Sequence, residues 1–287
     1  MSDGARRWRP SARLRPLVSG IWCWSSPAAP VGTHQGVSSA HLTVVLLLDG
    51  ALDLIAAPDP RRGPGRFTAS AAGLHAAPAV LGTGGAAQAG MQLEMTWRGA
   101  RALLGLPAGE LAGDVVDLAL LLPGLDGLLD RLRAAPDWAA RCALLDAALC
   151  RLADARGRPV DPPPEVVRAW EVLVRTGGTA RVADVAGEVG WSERHLGERV
   201  RRETGLGTKT AARVIRFERA CTLLRHPLAP PLAELAATCG YADQQHLARD
   251  FRDLAGTTAL TWRAERVRPA APIRPRPRHP APAPSHP

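Results

Sequence analysis

The sequence predicts an α+β protein, in which a strand-rich domain with following helices precedes an all-α domain. Three observations lead to this prediction. Short apolar runs separated by glycine and proline fill residues 1–100. Apolar residues take helical spacing from Ala100 onward. Finally, the pattern at residues 182–190 recurs at residues 232–240.

The composition is that of an ordinary globular protein. The 287 residues are 46% hydrophobic and 22% charged, with a formal net charge of +9. This balance excludes wholesale disorder and collagen-like folds, and it is compatible with an anionic partner. The five cysteines form no C-x-x-C pair, which supports neither a zinc ribbon nor a disulfide framework and fits a reducing cytoplasm. No apolar run approaches the roughly 20 residues that span a bilayer, so no membrane partner is expected.

The first domain is predicted to occupy residues 1–160 and to begin with strands. Residues 42–48 and 52–55 are short apolar runs typical of strands. A second strand pair is predicted through residues 73–81 and 90–97. In the last of these segments apolar residues alternate at period two, which places one face inward. The alternating residues are Met91, Leu93, Met95 and Trp97.

Helices are predicted from Ala100 onward. Pro123 and Pro136 stand where the first turn of a helix tolerates a missing N–H. Three prolines at 162–164 cannot continue a helix, so the domain boundary is placed there, and residues 161–178 are a linker and one helix. The helix after Pro136 has an apolar stripe for packing. It contains Leu144, Leu145, Ala148, Leu149 and Leu152, with Cys142 and Cys150 in the same packing.

The repeat predicts two helix-turn-helix units. In both copies the first, fourth and eighth residues are apolar and line one face of a short helix. Both copies also share A-x-x-x-G, formed by Ala186 with Gly190 and by Ala236 with Gly240. A small residue lets two helices approach closely, and glycine tolerates the backbone of a tight turn between them.

A second amphipathic helix follows each turn, over residues 192–203 and 243–254. The offset between the copies grows from 50 to 51 residues here, so the second turn is one residue longer. Glutamine can pair with adenine and arginine with guanine, so the outward side chains suit base edges. The predicted inner anchors are Leu196, Val200, Leu247 and Phe251. The predicted outward residues are Arg194, Gly197, Glu198 and Arg201, and Gln244, Gln245, Ala248 and Arg249.

Residues 208–226 are predicted to form the helix that links the two units. As a helix this segment is about 28 Å long, at roughly 1.5 Å per residue. Successive major grooves on one face of B-DNA lie about 34 Å apart. We therefore expect one chain to place two recognition helices in adjacent grooves.

These segments resemble the DNA-binding domain of AraC-family transcriptional regulators. The resemblance covers about residues 164–268, as RVADVAGEVGWSERHLGERVRRETG, RVIRFERACTLLR and LAELAATCGYADQQHLARDFRDLAG. It implies a bacterial, sequence-specific transcription regulator that binds double-stranded promoter DNA, with residues 179–268 as its DNA-binding domain. The residues expected to contact DNA are Ser192, Arg194, His195, Glu198, Arg201, Arg202, Gln244, Gln245, His246, Arg249 and Arg252.

Two departures from the family pattern bear on DNA reading. The Ser-Pro pair that usually follows each unit is replaced by Gly207-Thr208 and Thr258-Ala259, and Trp262 replaces the usual tyrosine. In the first recognition helix, Gly197 and Glu198 stand where longer polar and basic residues are common. The second unit is therefore expected to carry more of the specific readout.

Other polar residues have an ordinary structural interpretation beside the functional one. Arg201, Arg202, Arg213, Arg216 and Arg219 could contact phosphates, or could form a solvated face with ion pairs to Glu203 and Glu218. A metal site from His34, His41 and His75 is less favoured than scattered polar residues, because the spacing matches no ligand pattern. No catalytic motif is found, so neither an enzyme nor a cofactor is expected.

The first domain more loosely resembles the N-terminal sensor or assembly domains of AraC-type regulators. It does so through LRPLVSGIWCW, GTHQGVSSAHLTVVLLLDG and WRGARALLGLPAGELAGDVVDL. That resemblance implies a strand-rich, cupin-like fold and leaves open a small-molecule effector, a homodimer and an RNA polymerase contact.

A pocket lined by Trp22, Trp24, Trp97 and Trp138 is one alternative, and a core role for these residues is favoured. The alternative function is a small-molecule-binding or enzymatic first domain with secondary DNA contact. Residues 269–287 are expected to be a disordered, proline-rich tail.

Overall fold

The structure, a computed structural model, describes residues 6–157 and 161–266. The first part of the chain is strand-rich, as predicted, and its strands form two antiparallel sheets. The six-stranded sheet has the order β1-β2-β9-β4-β7-β10, and the four-stranded sheet has the order β3-β8-β5-β6. The strands of the first sheet are β1 (Arg6–Trp8), β2 (Val18–Ser26), β4 (Leu42–Asp49), β7 (Ala69–Ala72), β9 (Gln88–Met95) and β10 (Val115–Asp117). Those of the second are β3 (Gly32–Gly36), β5 (Leu52–Ala56), β6 (Gly65–Phe67) and β8 (Ala79–Thr83).

The sequence predicted that the strands at residues 73–81 and 90–97 pair with each other, and this prediction is wrong. β8 pairs with β3 and β5, whereas β9 pairs with β2 and β4, so the two strands belong to different sheets. The alternation in β9 is confirmed, because Met91, Leu93 and Met95 are all buried. Local pattern shows that a segment is a strand and which face is apolar, but pairing depends on distant segments. The short strand β10 was not predicted.

The helices that follow cover one face of the six-stranded sheet. α1 (Trp97–Gly99) continues into a π-helical turn at Ala100–Leu104, and short 3₁₀ turns follow at Ala108–Leu111 and Leu118–Leu120. α2 (Leu125–Ala134) and α3 (Trp138–Ala155) complete this layer. Both predicted helices start after their prolines rather than containing them. Cys142, Leu145 and Leu149 of α3 are buried, and Leu144, Ala148, Cys150 and Leu152 are half-buried.

The remaining helices agree closely with the prediction. α4 (Pro164–Arg175) is the helix expected after the prolines. The two units consist of α5 (Val182–Glu188) with α6 (Glu193–Thr204), and α8 (Leu232–Thr238) with α9 (Gln244–Ala255). α7 (Thr208–Leu224) links them, and α10 (Ala259–Arg266) follows the second unit. None of the described helices is both long and apolar enough to cross a membrane.

A single cluster of buried apolar residues extends from the six-stranded sheet through the helices to Trp262. The Trp97 ring of α1 contacts the Trp170 ring of α4, with centroids 6.0 Å apart. Because the core is continuous here, the division of the chain near residue 160 stays a prediction. The proline-rich tail at 269–287 lies outside the described residues.

Candidate nucleic-acid interface

The turn of each helix pair depends on one glycine. Gly190 and Gly240 have φ angles of +70° and +76°, in the left-handed region that glycine adopts without a Cβ penalty. A Cβ on Gly240 would also lie 2.4 Å from Thr179 Cγ2. The turn before α9 is one residue longer than the turn before α6, as predicted. The glycines expected from the repeat therefore set the angle between the helices of each unit.

Both recognition helices begin with the same capping interaction. The Ser192 hydroxyl accepts a hydrogen bond from the backbone N–H of His195, with an O···N distance of 3.3 Å. The Asp243 carboxylate accepts from the N–H of His246 at 2.6 Å. Such caps satisfy N–H groups that have no partner within the helix. Ser192, predicted as a DNA contact, therefore also has a structural role, and Asp243 takes that role in the second unit.

An aromatic ring supports a histidine in each unit. The Trp191 and His195 rings meet edge to face with their centroids 4.6 Å apart, and the Tyr241 and His246 rings do so with their centroids 5.1 Å apart. His195 is exposed and His246 is half-buried. The two histidines thus make equivalent ring contacts but differ in exposure, whereas the sequence suggested a structural role for the first and a DNA approach for the second.

The faces of the recognition helices divide largely as predicted, although Gly197 and Ala248, which were expected to point outward, are half-buried. Leu196, Val200, Leu247 and Phe251 are all buried, with at most 1% exposure. The predicted contact residues other than the half-buried His246 lie exposed on the opposite side. They are Ser192, Arg194, His195, Glu198, Arg201 and Arg202 on the first unit, and Gln244, Gln245, Arg249 and Arg252 on the second.

The acidic residue on the first recognition helix is paired locally. Arg194 Nε donates to Glu198 Oε1 at 3.1 Å, one helical turn apart, and both side chains are exposed. An exposed pair contributes little to stability. Its consequence here is electrostatic, because the carboxylate charge on the outward face is balanced by Arg194. Arg249, the equivalent of Glu198 in the second unit, gives that face a positive charge instead.

The predicted ion pairs of the arginines with Glu203 and Glu218 are wrong. Arg213 binds Asp250, with 2.6 Å between Nε and Oδ1, and also pairs with Asp253. The Arg216 guanidinium lies 4.9 Å from the centre of the Tyr241 ring. Both side chains are therefore used within the second unit. In the described part of the chain, Arg201 and Arg202 form no ion pair, which leaves them available for phosphates.

Glu203 and Glu218 instead bind the strand-rich domain. Arg101 donates to both carboxylate oxygens of Glu203, at 2.8 to 2.9 Å. His41 Nδ1 lies 3.2 Å from Glu218 Oε1. Sequence offers no signal for these pairs, because the partners are 102 and 177 residues apart.

A backbone hydrogen bond adds a third link between the domains. The N–H of Ser38 donates to the carbonyl of Leu254, near the end of α9, at 3.0 Å. Glu203 lies at the corresponding end of α6, and Glu218 lies on the linking helix. The strand-rich domain thus contacts the C-terminal ends of both recognition helices and leaves their N-terminal ends exposed.

The histidines of the strand-rich domain do not form a metal site in the residues described by the structure. His41 is engaged by Glu218, and His75 lies 3.3 Å from the Ser38 hydroxyl and near the carbonyl of Ala77. Burial lowers the pKa of His75, although its backbone partner opposes this effect. His41 and His75 therefore have separate partners.

An apolar cavity of about 20 Å³ lies between the six-stranded sheet and the helices. Val44 and Leu93 contribute to its wall from the sheet, and Leu145 and Leu149 contribute from α3. None of the four tryptophans considered from the sequence lines it. Trp97 is a buried core residue, and Trp22 donates a hydrogen bond to Glu94 at 3.0 Å.

Comparison with known proteins agrees with this geometry. Residues 179–265 match a family model described as a helix-turn-helix domain, of the AraC type. A structure of ToxT from Vibrio cholerae bound to an unsaturated fatty acid has a similar fold, with a TM-score of 0.53, 10% identity, and coverage of 85% of this chain and 94% of that chain. ToxT bound to (E)-4-(8-methylnaphthalen-1-yl)but-3-enoic acid gives a TM-score of 0.51, 10% identity, and coverage of 84% and 96%. A search of curated proteins finds no match.

The repeated helix pairs, their exposed polar faces and the family match define a DNA-binding transcriptional regulator. Its DNA-binding part, residues 179–265, is a helix-turn-helix domain of the AraC type. The ToxT structures, at 10% identity, add agreement in fold over most of the chain.

Proposed function

We propose that the protein binds promoter DNA sequence-specifically, with α6 and α9 in adjacent major grooves. One observation carries this proposal: the same cap, the same aromatic–histidine contact and an exposed polar face recur at the start of both helices. α7 ends at Leu224, so its 17 residues are about 25 Å long at roughly 1.5 Å per residue, somewhat less than expected from the sequence. Its buried residues fix the spacing between the units.

The second unit is proposed to supply most of the base contacts. Gln244 and Gln245 lie with Asp243 and Ala248 around an open surface depression at the start of α9. The small side chain of Ala248 leaves room for a base edge beside the glutamine amides, which can pair with adenine. Arg249 and Arg252 flank these groups and are proposed to bind phosphate or guanine.

The first unit is proposed to orient the protein on the duplex more than to recognise the base sequence. Gly197 occupies the place of Ala248, and a Cβ built on it would meet nothing within 4 Å, so packing does not require glycine there. Glu198 is balanced by Arg194, and Arg201 and Arg202 are exposed toward the end of the helix. These features suit phosphate contacts, which orient a protein on the duplex without specifying sequence.

Selection of bound duplexes from a random library tests the proposal. We expect a bipartite motif with half-sites about 10 base pairs apart and stronger information in one half. Affinity for the selected duplex should fall linearly with salt on logarithmic axes, because phosphate neutralisation releases counterions. Recovery of no motif would contradict the proposal, and a motif confined to one half-site would show that the first unit makes no base contacts.

We further propose that the strand-rich domain modulates this module in response to an apolar small molecule. The supporting observations are the apolar cavity and the three links from this domain to α6, α7 and α9. A cavity of about 20 Å³ is too small for such a ligand, so α2 and α3 must move away from the sheet on binding. An 18-carbon unsaturated fatty acid is the first probe, because ToxT has been solved with an unsaturated fatty acid bound.

The measurement is the thermal midpoint of the full chain at increasing concentrations of this probe. Binding to the folded state should raise the midpoint progressively. Leu122→Phe, which fills the cavity, should abolish the rise, whereas the exposed control Leu120→Phe should keep it. An equal rise in both variants would place binding elsewhere. A cytoplasmic location remains a prediction from the cysteine usage, and a homodimer and an RNA polymerase contact remain predictions from the family resemblance.

A further inference from the structure

Two buried cysteines meet between the sheet and the helical layer. Cys23 lies on β2 and Cys142 on α3, and their Sγ atoms are 3.2 Å apart although the residues are 119 positions apart in the chain. Cys23 is 2% exposed and Cys142 is 0% exposed. Both are free thiols in this structure.

The approach of the two sulfur atoms is close enough for bond formation. A disulfide has an S–S distance of about 2.05 Å, so the two atoms need to move together by only about 1.2 Å. Cys23 occupies the central part of β2, where it pairs with Met91 of the neighbouring strand. The contact is therefore held by the ladder of the sheet on one side and by the packing of α3 on the other.

The surroundings distinguish the two thiols. A hydrogen bond from the Cys142 thiol lowers the pKa of Cys23, burial opposes this effect, and the positive charge of Arg141 reinforces it. The same hydrogen bond, together with burial, raises the pKa of Cys142. Cys23 is therefore the thiol that more readily becomes a thiolate, which is the nucleophilic form.

We propose that Cys23 and Cys142 form a peroxide-sensitive dithiol that closes to a disulfide between β2 and α3. The Cys23 thiolate attacks one oxygen of hydrogen peroxide, the O–O bond breaks, and with one proton a water molecule leaves, so that Cys23 becomes a sulfenic acid. The Cys142 thiol then attacks the Cys23 sulfur, and its proton leaves with the sulfenic hydroxyl group as a second water. Both thiols are oxidised, and one peroxide is reduced to two waters. Hydrogen peroxide is small and uncharged, as access to a buried pair requires.

The disulfide would tie α3 to the sheet beside the apolar cavity. α3 supplies Leu145 and Leu149 to the cavity wall, and β9, the neighbour of β2, supplies Leu93. Closure of a loop of this length restricts the unfolded chain strongly. We therefore expect the oxidised protein to unfold at a higher temperature, and the movement of α3 proposed above for ligand binding to become harder.

The test uses the full chain, reduced, freed of reductant and treated with graded hydrogen peroxide. Remaining thiols are alkylated in denaturant and counted by mass spectrometry, and linked peptides are mapped without reduction. We expect alkylatable thiols to fall from five to three, with a Cys23–Cys142 linked peptide, and dithiothreitol to restore five. The thermal midpoint should rise by about 5 to 15 °C.

Cys150, half-buried on the same helix and 3.9 Å from the Ser11 hydroxyl, provides the matched control. Cys150→Ser should form the same linked peptide, whereas Cys23→Ser and Cys142→Ser should form none. Mapping linked peptides in the wild-type chain tests the proposal even if a cysteine variant fails to fold. The proposal is overturned if peroxide leaves all five thiols alkylatable, if linked peptides contain other cysteines, or if Cys23 is oxidised to a sulfinic acid without cross-linking. None of these readouts depends on DNA or effector binding.

Discussion

The guanidinium of Arg101 binds the carboxylate of Glu203 through three hydrogen-bond contacts of 2.8 to 2.9 Å. Arg101 belongs to the strand-rich domain, and Glu203 lies one residue before the end of the first recognition helix. The Glu203 side chain is only 5% exposed and that of Arg101 20% exposed, so the pair is largely removed from water. A buried ion pair costs much free energy when one partner is lost, because the remaining charge stays buried without compensation.

We therefore expect Arg101→Ala to lower the free energy of unfolding by about 3 kcal/mol. Urea denaturation of the full chain measures this change. Arg98→Ala, which removes an exposed arginine from the same segment, is the control and should change it by less than about 0.5 kcal/mol. Equal effects of the two variants would show that the pair adds nothing beyond an ordinary surface arginine.

The second prediction concerns Gln245 on the second recognition helix. Gln245→Ala should cost about 1 to 3 kcal/mol of binding free energy on the selected duplex and relax the preference at one base pair. Because the side chain is exposed, stability should be unaffected. Repeating the library selection with the variant measures the preference, and an unchanged motif would rule out a base contact by this residue.

Arg202 should behave differently from Gln245. Its exposed side chain is proposed to bind phosphate, so Arg202→Ala should weaken binding to all duplexes alike and reduce the slope of log affinity against log salt by about 1. Titrations on specific and scrambled duplexes over several salt concentrations measure both quantities. A loss restricted to the specific duplex would instead indicate base recognition.

The two roles of Ser192 can be separated by substitution. Ser192→Ala removes the cap and should lower the free energy of unfolding by about 1 kcal/mol, whereas glycine at the same position should cost only a few tenths. Both variants lack the hydroxyl. If Ser192 also contacts DNA, both should lose affinity, even after binding is measured where each variant is fully folded. Normal affinity in the glycine variant would leave Ser192 as a cap alone.

The contact between His41 and Glu218 predicts a pH dependence of stability. Burial lowers the pKa of His41, but the hydrogen bond and the charge of Glu218 outweigh burial and leave the pKa raised above 6.5. The charge of Glu94 also raises this pKa, and the charge of Arg7 lowers it slightly. A raised folded-state pKa means that this contact stabilises the protein fully below pH 6.5 and loses that contribution as pH rises through the raised value.

The measurement is the difference in free energy of unfolding between the wild-type chain and His41→Gln across that pH range. The difference should be largest at low pH and shrink as pH rises. Using a difference cancels the contribution of His75, whose lowered pKa has the opposite sign and destabilises the fold as pH falls. A difference that does not vary with pH would show that His41 is not charged in this contact.

Much of the second domain was predictable because its determinants are local. Gly190 and Gly240 turn the chain, Leu196 and Phe251 are buried, and the helix bounds shift by only one or two residues, because capping and helical periodicity act over a few positions. The exposed face follows from the same periodicity, which is why almost all predicted contact residues lie on the surface.

The first domain was predictable only in part. The strands β4 and β9 were recognised because alternation and β-branched runs are local. The sequence did not predict that β8 and β9 belong to separate sheets. The same limit applies to Cys23 and Cys142, which the spacing rules treated as unpaired thiols and which the fold brings into contact.

The sequence by itself determined two helix-turn-helix units, the polar faces they present and the helix that joins them, because these depend on neighbours within one or two helical turns. Only the tertiary structure decided that Glu203 and Glu218 serve the contact with the strand-rich domain, rather than the arginines near them. Side chains far apart in the chain meet only when packing of the whole core fixes the position of both. The contacts between the two domains therefore cannot be predicted from local sequence patterns.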